Sequence, residues 1–392
     1  MHKDVKTVTT TEETLQTSVE SMRAAFRKLP DPRSTVNRKH SLDEIMVISV
    51  CAVLAGADGP ESIACWAKAP EVRQWLSQRL DLAHGIPSRD TFRRVLQRVR
   101  PDAFQVCFTT WLRTLAGPDD VSHLAVDGKC VRRSHDAGHD LGPLHLVSVW
   151  ATEQNLTLAQ VATDVKSNEI TAIPQVLELV DVKGATITID AMGCQKAIAK
   201  QIVDSGGDYI LAVKGNQPTL EQDIESSFHE QLENDFSDVR FRHTKTRDKG
   251  HGRVETREYY QAEVPEWFSK TRDWRGLKTL VMVIRTVVKN GQETGEVQYY
   301  ISSCDLDIAH VAHGIRRHWS IENSCHWILD MTFREDESRI RDRHVGENVA
   351  WLKRFALSLL KQAPGKTSVA MKRRKAAWSV NYLSQLLATI NT

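Results

Sequence analysis

The sequence predicts an α/β protein with a mixed sheet flanked by helices, an all-α N-terminal domain and a β-rich insertion. Three observations support this fold class. Apolar runs at residues 124–126 and 185–189 each reach an aspartate and then, within three residues, a glycine, which is typical of buried strands that end at a sheet edge. Residues 42–115 instead repeat their apolar positions with helical spacing. Residues 223–303 return to alternating, strand-like patterns.

The composition limits the possible classes of function. The chain of 392 residues is long enough for two or three domains of roughly 150 residues each. Its 52 Lys and Arg against 50 Asp and Glu give a net charge of +2, which neither favours nor disfavours a nucleic-acid partner. The seven cysteines contain no C-x-x-C pair and no apolar run is long enough to span a bilayer, so we expect a reduced, cytoplasmic protein without membrane contact. The chain lacks a G-x-x-x-x-G-K-[ST] loop, which disfavours an ATP-driven motor.

Residues 1–40 have little periodicity and are predicted to be a tail and linker. A helical domain is predicted over 41–118, starting with a capping box between Ser41 and Glu44. Its helices are expected at residues 62–82, 88–99 and 101–115. In the second of these, Arg89, Arg93 and three further arginines give a basic face that is either solvated or in contact with DNA phosphates.

A catalytic domain is predicted in two parts, 119–222 and 304–360. The first part has the order β-β-β-α-β-α-β, which indicates a mixed sheet covered by helices. If the later strands run parallel to the first, Asp127, Asp190 and Lys214 emerge at the same edge. Ligands of open α/β sheets bind at that edge.

The predicted β-rich insertion covers residues 223–303. Asn290-Gly291 between two strand patterns is a strong hairpin signal. Seven Lys and Arg against two acids between residues 240 and 257 predict a basic hairpin that presses on phosphate. The last segment, 361–392, is predicted to be a basic tail that either contacts the DNA backbone or is solvated.

The second catalytic part supplies a third acid. His318, Glu322, His326 and Asp330 recur every four residues and are therefore expected along one face of a continuous helix. Three carboxylates suit two Mg²⁺ or Mn²⁺ ions about 4 Å apart, with Asp127 between the metals and Asp190 and Glu322 on one each.

Other side chains compete for these roles. The rival third ligands are Asp330, Glu335, Asp336 and Glu337. For the last three, a helix-surface network of ion pairs with neighbouring arginines is the favoured interpretation. A zinc site built from the histidines at 310–326 and Cys325 is disfavoured, because the spacing matches no structural zinc pattern.

Several ordered motifs now allow a family comparison. They are Asp127-Gly128-Lys129, Ile189-Asp190-Ala191-Met192, Ala212-Val213-Lys214-Gly215-Asn216-Gln217 and His318-Trp319-Ser320-Ile321-Glu322-Asn323. Together they resemble the bacterial DDE insertion-sequence transposases, in particular the H-repeat-associated group, over nearly the whole chain. The resemblance implies a ribonuclease H-like fold, Mg²⁺-dependent cleavage at terminal inverted repeats and strand transfer into target DNA.

The resemblance also implies the site. Its catalytic and metal-binding triad is Asp127, Asp190 and Glu322. Related transposases carry a Tyr, an Arg and a Lys around the glutamate, and here Ile315, His318 and Leu329 stand in those places. The residues predicted to contact DNA are Lys129, Lys214, Asn216, Arg316, Arg317, His318, His326, Arg89, Arg93 and Arg253.

The expected partner is double-stranded DNA, bound by a homodimer or larger homo-oligomer at the bacterial nucleoid. Two alternatives remain. A stand-alone nuclease of this fold would cut DNA ends without joining them, and a catalytically inactive DNA-binding protein would do neither.

Overall fold

The computed structural model describes residues 11–36, 38–116, 121–163, 169–250, 252–268 and 273–389. The chain divides into two compact units. The first contains Met1–Asp119, Cys130–His145 and Ser324–Thr392. The second contains Asp120–Lys129 and Leu146–Asn323.

The α-helices of the described residues fall mostly in the first unit. In chain order they are α1 Thr11–Phe26, α2 Leu42–Leu54, α3 Pro60–Lys68, α4 Pro70–Ser77, α5 Arg89–Arg98, α6 Pro101–Ala116, α7 Glu169–Glu178, α8 Lys196–Asp204, α9 Pro218–Glu233, α10 Ile308–Ile321, α11 Trp327–Met331, α12 Arg343–Gln362, α13 Val369–Trp378 and α14 Val380–Ala388. A π-helical turn, Glu322–His326, joins α10 to α11.

The strands form one sheet in the described part of the chain. They are β1 His123–Val131, β2 Leu144–Ala151, β3 Leu156–Thr163, β4 Thr186–Ile189, β5 Asp208–Val213, β6 Phe241–Gly250, β7 Arg253–Glu263, β8 Thr279–Lys289 and β9 Gln292–Ser302. Their order across the sheet is β3-β2-β1-β4-β5-β9-β8-β7-β6.

The first unit is organised around α2 and α12. All residues of α2 are buried, as its almost uninterrupted apolar sequence requires. Aromatic rings from α6 and α12 pack together, with Phe108 and Phe355 centroids 4.1 Å apart and Trp111 5.1 Å from Phe355. The predicted all-α character of residues 41–116 is thereby confirmed.

Two details of that prediction are wrong. The patterns over 62–82 form two helices, α3 and α4, because Ala69 leaves helical geometry before Pro70, which starts the second. Ser41 is the N-cap of α2, but its side chain makes no capping hydrogen bond with the described residues. Glu44 does not close a capping box either, since its Oε1 accepts from the Leu82 amide at 3.2 Å.

The predicted N-terminal tail is wrong for residues 11–26, which form α1. Its Leu15, Val19, Met22 and Phe26 are buried and recur at helical spacing. The helix packs against α2 and α14. This burial makes α1 part of the core of the first unit.

The predicted basic C-terminal tail is wrong as well. Lys372 and Arg373 are only 5% and 9% exposed. The Arg373 guanidinium donates to the carbonyls of Val53, Ala57 and Thr332 at 2.6–3.2 Å and lies 4.3 Å from the Phe333 ring centroid. These cations satisfy backbone acceptors inside the first unit, which a sequence count of charges does not reveal.

The sheet of the second unit confirms the predicted mixed sheet flanked by helices. The order β-β-β-α-β-α-β is as expected. β1 pairs with β4 in parallel, β4 pairs with β5 in parallel, and β5 pairs with β9 antiparallel. The predicted helix over 168–180 is α7, while residue 168 lies outside the described residues.

The insertion is a four-stranded antiparallel meander that extends the same sheet through β9. The sequence pattern predicts strands over 239–246 and 299–301, and the corresponding strands β6 and β9 are longer. The predicted hairpin is confirmed, because Asn290 and Gly291 have φ of 53° and 77° and connect β8 to β9. Among the described residues, no helix combines the length and apolarity needed to cross a membrane. The proposed domain boundaries remain predictions.

Candidate active site

The carboxyl ends of the parallel strands bring the first two acids together. Val126 of β1 is the register partner of Ile189, the last residue of β4, so Asp127 and Asp190 occupy neighbouring positions. Lys214 directly follows β5, whose Leu211 pairs with Ile189. The predicted common edge is therefore confirmed. One detail differs, because β1 does not end at Asp127 but continues to Val131.

Asp190 is held by the turn that follows β4. Its Oδ1 accepts a hydrogen bond from the Gly193 amide at 3.3 Å and so caps a short 3₁₀ turn. A Cβ on Gly193 would lie 2.3 Å from Ile189 Cγ2 and 2.9 Å from Ile173 Cδ1. Only glycine fits at this position, which explains the glycine after the second aspartate motif.

The electrostatics of Asp190 are unfavourable for a bare carboxylate. Burial raises the pKa of Asp190, and the negative charges of Asp127 and Glu169 raise it further. A cation bound among these oxygens would reverse that effect.

Asp127 is the carboxylate common to two groups of close oxygens. In one group, Asp127, Glu169 and Asp190 each offer an oxygen within 4.8 Å of the others. Separately, Asp127 and Glu322 offer oxygens within 4.8 Å of each other. Asp127, Asp190 and Glu169 are half-buried, while Glu322 is exposed.

Sequence analysis missed Glu169. It is the first residue of α7 and an acid in a first helical turn is usual, since it complements the helix dipole. Nothing in the sequence distinguishes it from other acids that begin helices. Its place beside Asp127 and Asp190 is set by how α7 returns to the sheet after β3.

A cavity of about 460 Å³ opens on this edge. Asp127, Asp190 and Glu322 line it together with Lys214 and His318. Its other walls are mostly apolar, with Ile189, Ala191, Ile210, Ala212, Tyr300 and Ile321 among them. A concave, largely apolar cavity with a few convergent polar groups is the usual form of an active site.

Helix α10, which leads to Glu322, is fixed to the sheet by polar contacts. His310 Nε2 hydrogen-bonds Thr186 Oγ1 at 2.8 Å, and His318 Nδ1 hydrogen-bonds Thr188 Oγ1 at 3.1 Å. A third histidine of this helix, His313, lies 3.2 Å from Glu153 Oε1. Three of the four histidines weighed for zinc thus have separate partners.

Close approach of α10 to the sheet depends on Gly314. A Cβ there would lie 2.5 Å from the His123 ring and 2.9 Å from Ile210 Cδ1. His123 is buried, and burial lowers its pKa to about 4. A neutral ring therefore packs under the glycine at physiological pH.

The predicted continuous α-helix is wrong beyond Glu322. The π-helical turn Glu322–His326 interrupts it, so the regular α-helical spacing of four residues ends at Glu322. Among the rival acids, Glu335 pairs with buried Arg354 at 2.9 Å, Asp336 with Arg132 at 3.1 Å, and Glu337 with Arg334. All three acids form ion pairs, as predicted. Only Glu337 pairs with a neighbouring arginine at the surface, because Glu335 and its partner are buried and the partner of Asp336 is distant in sequence.

The predicted DNA-contact residues separate into four groups. Lys214 and His318 line the acidic cavity, and Lys214, Arg316 and Arg253 line a second cavity on the insertion. Asn216 is exposed and donates to the Ala191 carbonyl, Arg317 is half-buried, and Arg89 and Arg93 are exposed on α5 in the first unit. Lys129 and His326 are 6% and 3% exposed, so this structure does not favour either as a direct phosphate contact.

The structure also places the three residues that differ from those of the related transposases. Leu329 is fully buried, whereas Ile315 and His318 of α10 both line the acidic cavity. Of the three, only His318 offers a polar group to a substrate at this site.

Carboxylate oxygens gathered at the ends of parallel strands suit divalent metal ions. The sequence comparisons identify the family. A model described as "Transposase DDE domain" matches residues 119–359, and one described as "DDE_Tnp_1-associated" matches residues 23–112. The chain belongs to the DDE transposase family and acts in DNA transposition.

Relatives match over nearly the full length. "Putative transposase YncI" of Escherichia coli O157:H7 is 40% identical over 95% of this chain and 95% of its own. "H repeat-associated putative transposase YhhI" of Escherichia coli K12 is 39% identical over 92% and 96%. These confirm the predicted H-repeat-associated group. A piggyBac transposase synaptic complex with hairpin DNA aligns with a TM-score of 0.40 at 12% identity, covering 94% of this chain and 78% of that one.

Proposed function

We propose that the chain cleaves DNA at the terminal inverted repeats of its element and joins the ends to target DNA, with Asp127, Asp190 and Glu322 as its metal-binding acids. The observation that carries this proposal is the position of Asp127, whose carboxylate offers an oxygen within 4.8 Å of Glu322 and, in a second group, within 4.8 Å of Asp190 and Glu169.

The donor set fits divalent metal. Membership of the DDE family implies divalent metal use, and Mg²⁺ and Mn²⁺ prefer carboxylate oxygens. Asp127, Asp190 and Glu322 would hold the metal, with Glu169 as a further ligand. Two bound Mg²⁺ ions would supply activation of the attacking oxygen and stabilisation of the leaving oxygen.

The chain's own residues bind and orient the substrate. The Lys214 ammonium, at the cavity wall beside the acids, would attract the phosphate undergoing cleavage. His318 is oriented by its hydrogen bond to Thr188 and presents the rest of its ring to the cavity. The exposed Arg89 and Arg93 of α5 would bind DNA backbone outside the catalytic centre.

Substitution of the acids tests this proposal. We expect Asp127→Asn and Glu322→Gln to lose cleavage of labelled inverted-repeat DNA in Mg²⁺ or Mn²⁺ by at least about 10³-fold while still binding that DNA, because only metal ligands are removed. Glu230→Gln, on the exposed surface of α9, is the matched control and should cleave normally. Unchanged cleavage by purified Glu322→Gln would refute the assignment.

The same assay separates the alternatives. A transposase cuts the ends and joins them to a target plasmid. A stand-alone nuclease would cut and never join, and an inactive DNA-binding protein would bind without nicking. Because joining involves two element ends, we expect a homodimer or larger homo-oligomer on DNA, measurable by light scattering of the complex.

A further inference from the structure

One face of strands β7–β9 changes character along its length. Tyr259 and Val283 are register partners and are buried with Ile315 of α10 in an apolar cluster. Two residues further along each strand, on the same face, the register partners are Arg257 and Arg285. The face is therefore apolar under α10 and basic beyond it.

The basic part of this face forms a cavity of about 390 Å³. Five cations line it, namely Lys214, Arg253, Arg257, Arg285 and Arg316. Two carboxylates, Glu255 and Glu296, also line it, so positive charge is in excess. Lys214 and Trp319 belong to the walls of both this basic cavity and the acidic cavity, which makes the two cavities neighbours.

Glu255 organises the arginines. Its side chain is 6% exposed, and its Oε1 accepts from Arg285 Nε at 2.6 Å and from Arg257. Arg253 approaches the other carboxylate oxygen at 3.6 Å. A single buried carboxylate thus holds three guanidinium groups in place and cancels only one of their charges. Fixed guanidinium groups match the geometry of phosphate oxygens.

The remaining acids do not remove the excess. Asp248 contacts Arg257 at 3.2 Å and Arg316 at 3.6 Å, but its side chain is 58% exposed. Glu296 lies 3.6 Å from Arg285 and is 47% exposed. Counting both with Glu255, three carboxylates face five cations. Exposed ion pairs of this kind are weak and exchange readily for a stronger anion.

We propose that the basic cavity binds a single phosphodiester of the DNA strand whose neighbouring phosphate lies in the acidic cavity. This proposal rests on the proposed function, because it takes its ligand from the substrate of the adjoining site. The cavity volume exceeds that of a phosphate group and leaves room for the attached sugar. Arg257 of the predicted basic hairpin and Arg285, which the sequence did not single out, join Arg253 and Arg316 as its ligands.

The first test measures binding to phosphate without catalysis. The full chain is titrated with fluorescent inverted-repeat DNA over a KCl series in the absence of divalent metal. We expect the double variant Arg253→Gln/Arg316→Gln to bind about three- to tenfold more weakly. The slope of log affinity against log salt concentration should become shallower by up to about 0.9, the contribution of the one phosphate that the cavity neutralises. Both side chains are about half exposed, so the fold should tolerate the changes.

A matched control removes an arginine of the same unit outside the cavity. Arg275 is 63% exposed and pairs with Asp204 at 3.2 Å, so it resembles Arg316 in charge and pairing. Arg275→Gln should leave both the affinity and the salt dependence unchanged. If it weakens binding as much as the double variant does, the effect is one of net charge and the proposal is overturned.

The second test locates the phosphate. Single phosphates of the DNA are replaced in turn by uncharged methylphosphonates. We expect one position near the cleaved bond to weaken wild-type binding while leaving the affinity of the double variant unchanged. If no position shows this coupling, the proposal is overturned.

A third measurement distinguishes binding of a DNA phosphate from binding of a free anion. Inorganic phosphate is titrated by calorimetry into the wild type and the double variant. Arginine-dependent binding of inorganic phosphate without a coupled methylphosphonate position would indicate a small-oxyanion site and overturn the DNA assignment. Coupling observed in a protein that never cleaves would refute the proposed function and leave this inference standing.

Discussion

The acidic edge and the β insertion handle charge in opposite ways. At the acidic edge, Asp127, Asp190 and Glu169 bring oxygens of the same sign within 4.8 Å of one another. In the insertion, opposite charges face each other across strands, as in Lys245–Glu258 and Arg285–Glu255. Like charges held together destabilise a fold unless something binds between them, whereas cross-strand pairs stabilise it modestly. Carboxylates gathered close together therefore distinguish the acidic edge from the insertion, where these cations have carboxylate partners.

The largest expected difference concerns the fourth acid. If Glu169 binds metal, Glu169→Gln should lower cleavage by about tenfold or more at limiting Mg²⁺ and raise the Mg²⁺ concentration needed for half-maximal rate. Glu178→Gln, an exposed acid at the other end of α7, should match the wild type. Identical Mg²⁺ dependence in the Glu169 variant and the wild type would show that Glu169 is not a ligand.

Removing the buried acid of the insertion should weaken the fold. Hydrogen bonding from Arg285, followed by the positive charge of Arg257, lowers the pKa of Glu255 despite its burial. Glu255→Gln should therefore lower the free energy of unfolding by about 2 kcal/mol at neutral pH, measured by urea denaturation.

The pH dependence of this effect has a definite sign. A carboxylate with a lowered pKa stabilises the fold above its unfolded pKa, and that contribution is lost as pH falls through the folded value. The difference between wild type and Glu255→Gln should therefore be constant near neutral pH and shrink in acid. A difference that grows in acid would contradict the ion-pair interpretation.

Removing Asp190 from the acidic edge should change the free energy of unfolding in the opposite direction. Because burial, Asp127 and Glu169 raise the pKa of Asp190, its charged form opposes folding. Without metal, Asp190→Asn should raise the free energy of unfolding by about 1 kcal/mol at neutral pH, or the Tm by about 2–4 °C.

For a carboxyl group with a raised pKa, stability depends on pH in the opposite direction. Protonated Asp190 stabilises the folded state below its unfolded pKa, and this stability is lost as pH rises through the folded value. The advantage of Asp190→Asn should accordingly disappear in acid. Added Mg²⁺ should stabilise the wild type more than the variant, and a variant less stable than the metal-free wild type at neutral pH would contradict the comparison.

The smallest effect is expected at an exposed pair. Lys245→Gln removes a 2.8 Å ion pair with Glu258, where the lysine is 56% exposed, and should change the free energy of unfolding by less than about 0.5 kcal/mol. The change should vanish in 1 M salt, because salt screens exposed charges. A loss of unfolding free energy close to that of Glu255→Gln would show that the solvent exposure of an ion pair does not determine its strength in this insertion.

The sheet could be predicted because its signals are local. A β-branched run marks β4, a mostly apolar run marks β5, and Asn290-Gly291 defines a turn within two residues. The edge shared by Asp127 and Asp190 follows once the strands are parallel. In α1 the helical spacing of Leu15, Val19, Met22 and Phe26 was also present in the sequence, but polar residues between them obscured it.

The remaining features depend on tertiary structure. Arg373 is buried because carbonyls from α2 and from the residue after α11 converge on it, and those carbonyls have no sequence signature. Glu169 joins the acids only because α7 begins near the sheet edge. The π-helical turn at Glu322–His326 replaces a regular spacing that the sequence itself displays.

Gly314 bears on which copies of a transposable element still encode an active transposase. With any side chain at this position, the helix that leads to Glu322 would have to lift from the His123 ring and from Ile210. The distance between Glu322 and Asp127 would increase although the sequence still contained every acid. A gene can thus retain its complete acidic motif and still encode an inactive enzyme, because one added methyl group two helical turns before the glutamate displaces the helix.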